Sequence, residues 1–368
     1  MGILIGMDEA GYGPNLGPLV VAATAWEVAD EGPGVGGQGS GSTLEPLASG
    51  GPVLLTSAAR PNLQHIDLYR LLRRVVAHAP DEHRIAIADS KRLYKPGHGL
   101  RQLERGVHTA LGALRWPAAC WSDIVAACDA DAAGLHRQLA WHDGFDCRLP
   151  VDATSEDLET LTDRFARACE VADVQLLAIR ARLVFPGEFN ELVEYHGTKG
   201  AALSHVTIGL LREVLEVAGA VACPVAEATS PGLTSDLRPL ASLQVVCDKH
   251  GGRNRYHSLL AHFFPDQWID TLVESRAESR YHWGPAAGGV EVAFRAGGEA
   301  FLPAALASMT AKYLRELAMR AFNEFWCARV PGLRPTAGYP ADAPRFKAQI
   351  EVVQRALGID DHVLWRNR

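Results

Sequence analysis

A layered α/β domain is what this sequence predicts, and three observations carry the prediction. Short apolar runs read as strands, amphipathic stretches between them read as helices, and the two alternate along 368 residues without an internal repeat. Ile3 to Ile5 and Leu19 to Ala25 are the first two strands, joined by the glycine-rich turn Gly11-Tyr12-Gly13-Pro14-Asn15-Leu16-Gly17-Pro18. Glu31 to Gly51 is dominated by Gly and Ser and reads as a surface insertion. Leu63 to His78 has the spacing of an amphipathic helix, Ile85 to Ala88 that of a short strand, and Gly99 to Leu114 that of another helix. Within the otherwise unassigned stretch 115 to 172, Ser155 to Cys169 reads as a helix with Ser155 at its N-cap and Asp157 in its first turn. Val174 to Val184 is a strand, and Pro186-Gly187 opens a helix that reaches about Val217 in one or two pieces. Beyond a loop over Ala218 to Pro239, Leu243 to Cys247 is a fully apolar strand ending at Asp248. Trp268 to Glu274 and Val290 to Phe294 read as a strand pair, followed by a long helix from Leu302 to about Phe325 and a final helix from Arg345 to Leu357.

Composition bounds the class. With 48% hydrophobic and 21% charged residues, the chain has ample material for a buried core. No apolar run approaches the roughly 20 residues that span a bilayer, and Met1 to Gly6 is too short for a secretory segment, so a cytoplasmic location without membrane contact is expected. Seven cysteines, an odd number with no C-x-x-C pair, argue against a disulfide framework or a zinc ribbon and for buried thiols. The net charge of −7 speaks against a generic nucleic-acid binder, yet it is unevenly spread. Residues 241 to 368 hold 16 basic and 13 acidic groups, leaving 20 against 30 in the rest, so a mildly basic C-terminal third can face phosphates while carboxylates elsewhere collect cations.

The chemistry concentrates at strand ends. Asp8 and Glu9 sit where the first apolar run gives way to the glycine turn, and strand alternation sends their side chains to opposite faces. Neighbouring carboxylates repel, and a divalent cation relieves that repulsion. The glycines let backbone approach a ligand closely, and free N–H groups in such a turn hold phosphate. Asp248 is a second strand-end carboxylate, followed by the polar run Lys249-His250-Gly251-Gly252-Arg253-Asn254-Arg255. Arg253 and Arg255 there read as a phosphate clamp or as a solvated loop, and His250 and His257 as candidate proton carriers.

Taken in order, these stretches resemble the ribonuclease HII family of type 2 ribonucleases H. The resemblance rests on Gly6-Met7-Asp8-Glu9-Ala10-Gly11-Tyr12-Gly13-Pro14 with Gly17-Pro18, on Asp89-Ser90-Lys91 with Leu93, and on Phe185-Pro186-Gly187-Glu188-Phe189-Asn190. Asp248 at a buried strand end and Ala307-Ser308-Met309-Thr310-Ala311-Lys312-Tyr313-Leu314-Arg315-Glu316 complete it. It implies an RNase H-like mixed sheet flanked by helices, with insertions near residues 28 to 60, 115 to 172 and 218 to 240. Residues 1 to 328 would form the catalytic domain, and 329 to 368 a helical segment packing on the substrate side. The resemblance further implies a nuclease acting on RNA–DNA hybrids or RNA–DNA junctions, with no obligate protein partner. Asp8, Glu9, Asp248 and Glu316 would be both the catalytic groups and the ligands of two Mg²⁺ or Mn²⁺ ions about 4 Å apart, Asp8 bridging them. Gly11, Tyr12 and Gly13 would hold the scissile phosphate, Tyr339 after Gly338 would pack on a sugar, and Lys91 and Lys312 would pair with phosphate or carboxylate.

Three departures from the family pattern bear on function. Tyr12 stands where the family has a cation, Glu316 where it has an aspartate, and Lys249 where it has a glycine. The added methylene of Glu316 favours Mn²⁺, and the run after Asp248 is a source of replacement charge. If Glu316 points away, Glu299 is the reserve ligand. Two other readings stay open: another structure-selective nuclease, and an inactive nucleic-acid-binding relative.

Overall fold

The structure, a computed structural model, describes residues 1–29, 66–95, 97–129, 131–135, 138–219, 242–285 and 288–367. The readings of Glu31 to Gly51 as an insertion and of Ala220 to Pro239 as a loop therefore lie outside the described residues, as does Cys223. The remaining six cysteines are free thiols. No described helix is long and apolar enough to cross a membrane.

Seven strands form one mixed sheet. In chain order they are β1 (Gly2–Ala10), β2 (Leu19–Val28), then, after a small parallel pair β3 (Val76–Ala77) and β4 (Ile85–Ala86), β5 (Val174–Val184), β6 (Ser242–Cys247), β7 (Asp270–Glu274), β8 (Glu278–Trp283) and β9 (Val290–Arg295). Their spatial order is β5-β2-β1-β6-β9-β8-β7. β2 is antiparallel to β1 and β5, β6 is parallel to β1 and β9, and β8 is antiparallel to β9 and β7. Helices are α1 (Leu68–Leu71), α2 (Ser90–Leu93), α3 (Arg101–Ala113), α4 (Trp121–Cys128), α5 (Ala132–Leu135), α6 (Ser155–Val171), α7 (Pro186–His196), α8 (Lys199–Val217), α9 (His257–Phe263), α10 (Leu302–Arg329), α11 (Ala343–Ala356) and α12 (Asp361–Leu364).

The sheet is sandwiched. On one face Leu4, Val20 and Trp26 pack with Phe165 of α6 and Leu306 and Tyr313 of α10. On the other, Ile5, Val21 and Val245 pack with Leu211 of α8 and Leu260 of α9. A third cluster, including Leu16, Trp326, Phe346 and Leu364, seats α11 and α12 against the end of α10. The expected mixed α/β sheet flanked by helices is thus present, and it differs from the sequence reading in four places.

β1 runs past Ile5 to Ala10, because pairing with β2 continues to Ala10↔Val20 after the parallel pairing with β6 has stopped at Met7↔Cys247. The expected helix Leu63 to His78 is, in its described part, one turn capped by Asp67; the β-branched Val75-Val76 then leaves it, and Val76 pairs with Ile85. The N-cap of α6 is Thr154, whose hydroxyl accepts from Asp157 N (3.3 Å), so Ser155 is the first helical residue. β7 and β9 do not pair with each other, since β8 lies between them. β8 alternates buried Ser279, Tyr281 and Trp283 with half-buried Glu278, Arg280 and His282. That period of two was present in the sequence, masked by its polar members.

One contact sets the depth of the sandwich. A Cβ on Gly6 would lie 1.9 Å from Ala304 N and 2.1 Å from Pro303 C, so the start of α10 rests directly on the β1 backbone. Gly6→Ala must push helix from strand and is expected to destabilise the fold by at least ~3 kcal/mol, the upper range of overpacking effects. Urea unfolding measures this, and an unchanged midpoint would show that the helix is not seated there.

Candidate active site

The end of the sheet gathers three carboxylates. Asp8 faces α10 and Glu9 the opposite side, but with β6 stopping at Cys247, Asp248 emerges beside β1, and one oxygen from each of Asp8, Glu9 and Asp248 lies within 4.8 Å of the others. Asp8 accepts a hydrogen bond from Glu9 N (2.8 Å) and another from the Ser308 hydroxyl of α10. Burial raises the pKa of Asp8 to about 7, against the lowering effect of these bonds and with a further rise from the Asp248 charge. Burial likewise raises Glu9 to about 8, helped by Asp8 and Asp248. A half-buried acidic cluster with hard oxygen donors and a strong tendency to hold protons suits a divalent cation such as Mg²⁺ or Mn²⁺.

The Asp89-Ser90-Lys91 stretch is tied into this cluster. Asp89 caps α2 by accepting from Lys91 N (3.0 Å), Ser90 N donates to Ser308 Oγ (3.3 Å), and the two serine hydroxyls are 3.1 Å apart. Burial disfavours the Lys91 ammonium, but Asp89, Asp8, Asp248 and Glu9 outweigh it and raise its pKa. Lys91 is the nearby fixed cation of the cluster.

Glu316 is placed differently from expectation. It does not belong to the group of mutually close carboxylates; it accepts from Tyr94 Oη (2.8 Å) and is paired with Lys312 Nζ, one helical turn earlier, with Arg315 Nη1 at 3.6 Å. Lys312 also lies over the Tyr94 ring, 4.5 Å from its centroid. The extra methylene of glutamate lets the carboxylate reach these partners. The side chain of Glu299, the reserve candidate, is not among those described.

Beside the carboxylates, the glycine turn is braced from below by two arginines. Gly11 has φ +87°, and a Cβ there would sit 2.5 Å from Arg315 Nε. Arg315 Nη2 donates to Ala337 O (3.0 Å), and Arg366 Nη2 donates to Gly11 O (2.6 Å) and to Pro14 O. Both guanidiniums are fully buried, and Nε and Nη1 of Arg366 have no hydrogen-bond partner among the described residues. Burial and the Arg315 charge lower the pKa of Arg366 to about 9, which leaves it charged at neutral pH. Arg366 is carried on the C-terminal segment, where Leu16 bridges Trp365 and Arg366 N donates to Asn15 O (2.8 Å). The sequence reading missed this residue, and nothing local in Trp365-Arg366-Asn367 signals it.

Gly338 and Tyr339 dock on the same turn. Asn15 N and Leu16 N both donate to Gly338 O (2.8 and 3.3 Å), and the half-exposed Tyr339 ring reaches Gly13 and lies 5.9 Å from the Arg315 guanidinium. Tyr12 turns toward Gly200 at the start of α8, and burial with the Glu9 charge raises its pKa. The run after Asp248 makes local contacts. Arg255 is exposed and pairs with Glu274 (3.8 Å), Arg253 stacks over Tyr256 at 5.8 Å, and Lys249 Nζ donates to Asn254 Oδ1 (2.9 Å). The positive charge under the turn comes from Arg315 and Arg366 instead. His250 is a buried ring bonded to Ser204 Oγ (2.9 Å), its pKa lowered by burial to about 3, so it is structural rather than a proton carrier; His257 is exposed, with Nε2 3.2 Å from Ile269 O.

A cluster of three carboxylates thus lies at the end of a mixed α/β sheet flanked by helices. No protein-family model matches the chain, and no curated protein does. Among solved structures, the chain is similar to ribonuclease HII of Archaeoglobus fulgidus in its complex with PCNA, at 14% identity over 100% of this chain and 94% of that one, with a TM-score of 0.38. Ribonuclease H2 from Pyrococcus horikoshii OT3 is similar at 15% identity over 98% and 92%, with a TM-score of 0.35. Bst-RNase HIII in complex with Mn²⁺ is similar at 11% identity over 99% and 66%, with a TM-score of 0.34.

Two outcomes follow from this geometry. Folded Asp8 and Glu9 hold protons up to about 7 and about 8, against 3.8 and 4.5 ordinarily, so between these limits the folded chain binds more protons than the unfolded one. Metal-free stability therefore falls as pH rises through that window. Thermal melts in EDTA should show the fall in wild type and a shallower one in Asp8→Asn; parallel profiles would refute the assignment. Arg366→Met removes the brace of the turn and leaves the carboxylates in place. It should leave Mn²⁺ affinity, measured by titration calorimetry, within about threefold of wild type while destabilising the fold by at least ~1 kcal/mol in urea unfolding, the cost of leaving the Gly11 and Pro14 carbonyls unpaired.

Proposed function

We propose that this protein is a cytoplasmic, metal-dependent endonuclease of the type 2 ribonuclease H class that hydrolyses the RNA strand of RNA–DNA hybrids, leaving 3′-hydroxyl and 5′-phosphate ends. The observation that carries the reading is the convergence of Asp8, Glu9 and Asp248 beside Lys91 at the end of a mixed sheet. These three carboxylates would hold divalent ions, Mg²⁺ or Mn²⁺, two in the full set with Glu316. Such ions, when bound, neutralise charge on the phosphate and supply hydroxide at neutral pH.

The chain's own groups then divide the remaining work. Backbone N–H groups of Gly11 and Gly13 hold the scissile phosphate over the buried charge of Arg315 and Arg366. Lys91 balances the carboxylates and stands ready to pair with a phosphate oxygen. Tyr339, half exposed beside Gly13, packs on a sugar, so segment 329 to 368 lies on the substrate side of the 1 to 328 catalytic domain. Lys312, Arg253 and Arg255 extend the contact to flanking phosphates. Glu316, released from Lys312 and Tyr94, would be the fourth carboxylate able to hold an ion.

Cleavage of a labelled RNA–DNA hybrid with Mg²⁺ or Mn²⁺ tests the reading: wild type should cut, and Asp8→Asn should lose at least ~10³-fold in rate, the scale of losing a main charge-stabilising group. Equal rates would sink it. In Mn²⁺ titration, Glu316→Gln should bind one ion fewer than wild type; unchanged stoichiometry would remove Glu316 from the set. A second reading, a structure-selective nuclease for another substrate, is favoured by Tyr12, which brings a phenol where a cation is expected. Cutting of branched all-DNA substrates in preference to hybrids would select it.

A further inference from the structure

At the end of the sheet away from the carboxylates, five arginines line one groove. Arg70, Arg73 and Arg74 come from α1 and the turn after it, Arg164 and Arg167 from the second half of α6, and all five are exposed. The groove measures about 710 Å³, has an apolar floor that includes Val75 and Ala168, and no carboxylate or lysine among the described residues lines it. Among the described residues, the guanidiniums of Arg73, Arg74, Arg164 and Arg167 make no ion pair and no hydrogen bond. Several other surface arginines are paired, among them Arg84 with Asp81, Arg212 with Glu216, Arg320 with Glu324, Arg345 with Asp342 and Arg355 with Glu351.

Five like charges concentrated in a chain of net charge −7 repel one another, and a polyanion removes that penalty. The guanidinium fork matches phosphate oxygens in pairs, which an all-arginine lining exploits better than lysine. The groove is too large for one phosphate and suits a backbone carrying several. Its position agrees: α6 ends just before Val174, which pairs with Val28, which pairs with Gly2, while Asp8 lies six residues along β1. At roughly 3.3 Å per residue, that is about 20 Å from the carboxylates, or about six steps of duplex at 3.4 Å each. α6 and the Asp8 side chain share one face of the sheet.

We propose that this groove is a second binding site for the phosphate backbone of a nucleic acid, gripping the duplex flank of the substrate about 20 Å from the cleavage centre. That the flank belongs to a hybrid rests on the nuclease reading above; the phosphate chemistry does not. The test compares a variant carrying Arg73→Ala, Arg74→Ala, Arg164→Ala and Arg167→Ala with one carrying lysine at the same four positions. Both are made in an Asp8→Asn background so that substrate survives, and their melting temperatures report folding. Fluorescence anisotropy is read on a hybrid of about 20 base pairs and on a loop-closed one of about 4, roughly 14 Å long and too short to span the two sites.

The alanine variant should bind the longer hybrid at least ~10-fold more weakly at low salt, with a log–log salt slope shallower by about 3, near 0.9 for each phosphate no longer neutralised. Binding of the shorter hybrid should not change, and the lysine variant should recover most of the slope. Unchanged affinity and slope on the longer hybrid, in a variant that melts like its parent, would overturn the proposal and leave the groove to a partner other than nucleic acid. The two readings fail separately. If wild type cuts no hybrid but the alanine variant still loses affinity for duplex, the groove stands and the hydrolytic reading falls. If hybrids are cut and the slope is unchanged, the reverse holds.

Discussion

The structure depends on how closely α10 lies on β1 and the turn that follows. Gly6 brings helix backbone against strand backbone at Ala304, and from that seat the same face of α10 reaches three further points. Ser308 bonds Asp8, Arg315 fills the space a Cβ on Gly11 would take, and Met319 does the same at Gly17, where its sulfur is 2.1 Å from the Cβ position. Residues 304, 308, 315 and 319 fall on one stripe of a helix, so one rigid rod fixes the register of the acidic strand end and of the glycine turn together. Glycine at each crossing is a requirement of distance as much as of backbone freedom.

This arrangement separates charge within a short space. Three carboxylates cluster where β6 stops short, while two guanidiniums lie buried under the neighbouring turn. Neither group is neutralised by the other. Burial pushes the carboxylates toward protonation and lowers the guanidinium pKa of Arg366, so the site by itself is electrostatically unfavourable on both sides. A divalent cation would relieve the first imbalance and an anion the second, so on the reading proposed above each would favour binding of the other through the field rather than through contact.

Much of this was readable in the residue order. Asp8, Glu9 and Asp248 each stood at the end of an apolar run, and a mixed sheet needs no more than that to bring them together. What escaped had physical causes. β8 carries Glu278, Arg280 and His282 on its outer face, and its polar composition outweighed its alternation. The helix expected before residue 78 lost to the pairing of Val76 with Ile85, a choice made by tertiary contact over local propensity. Glu316 was visible as an acid on α10, but its partner Tyr94 lies 222 residues away. Arg366 was invisible altogether, since its role exists only through Gly11, which is 355 residues distant in the chain.

That last contact has a consequence for assembly. The carboxylates come together once β1, β2 and β6 have paired, whereas the turn beside them gains its brace only when the segment carrying Trp365 and Arg366 has docked against Leu16 and Asn15. Contacts of such long separation form late, after most loop entropy has already been lost. A folding chain would therefore hold its acidic cluster before the neighbouring turn is braced, so that corner of the molecule is completed by a late step of folding.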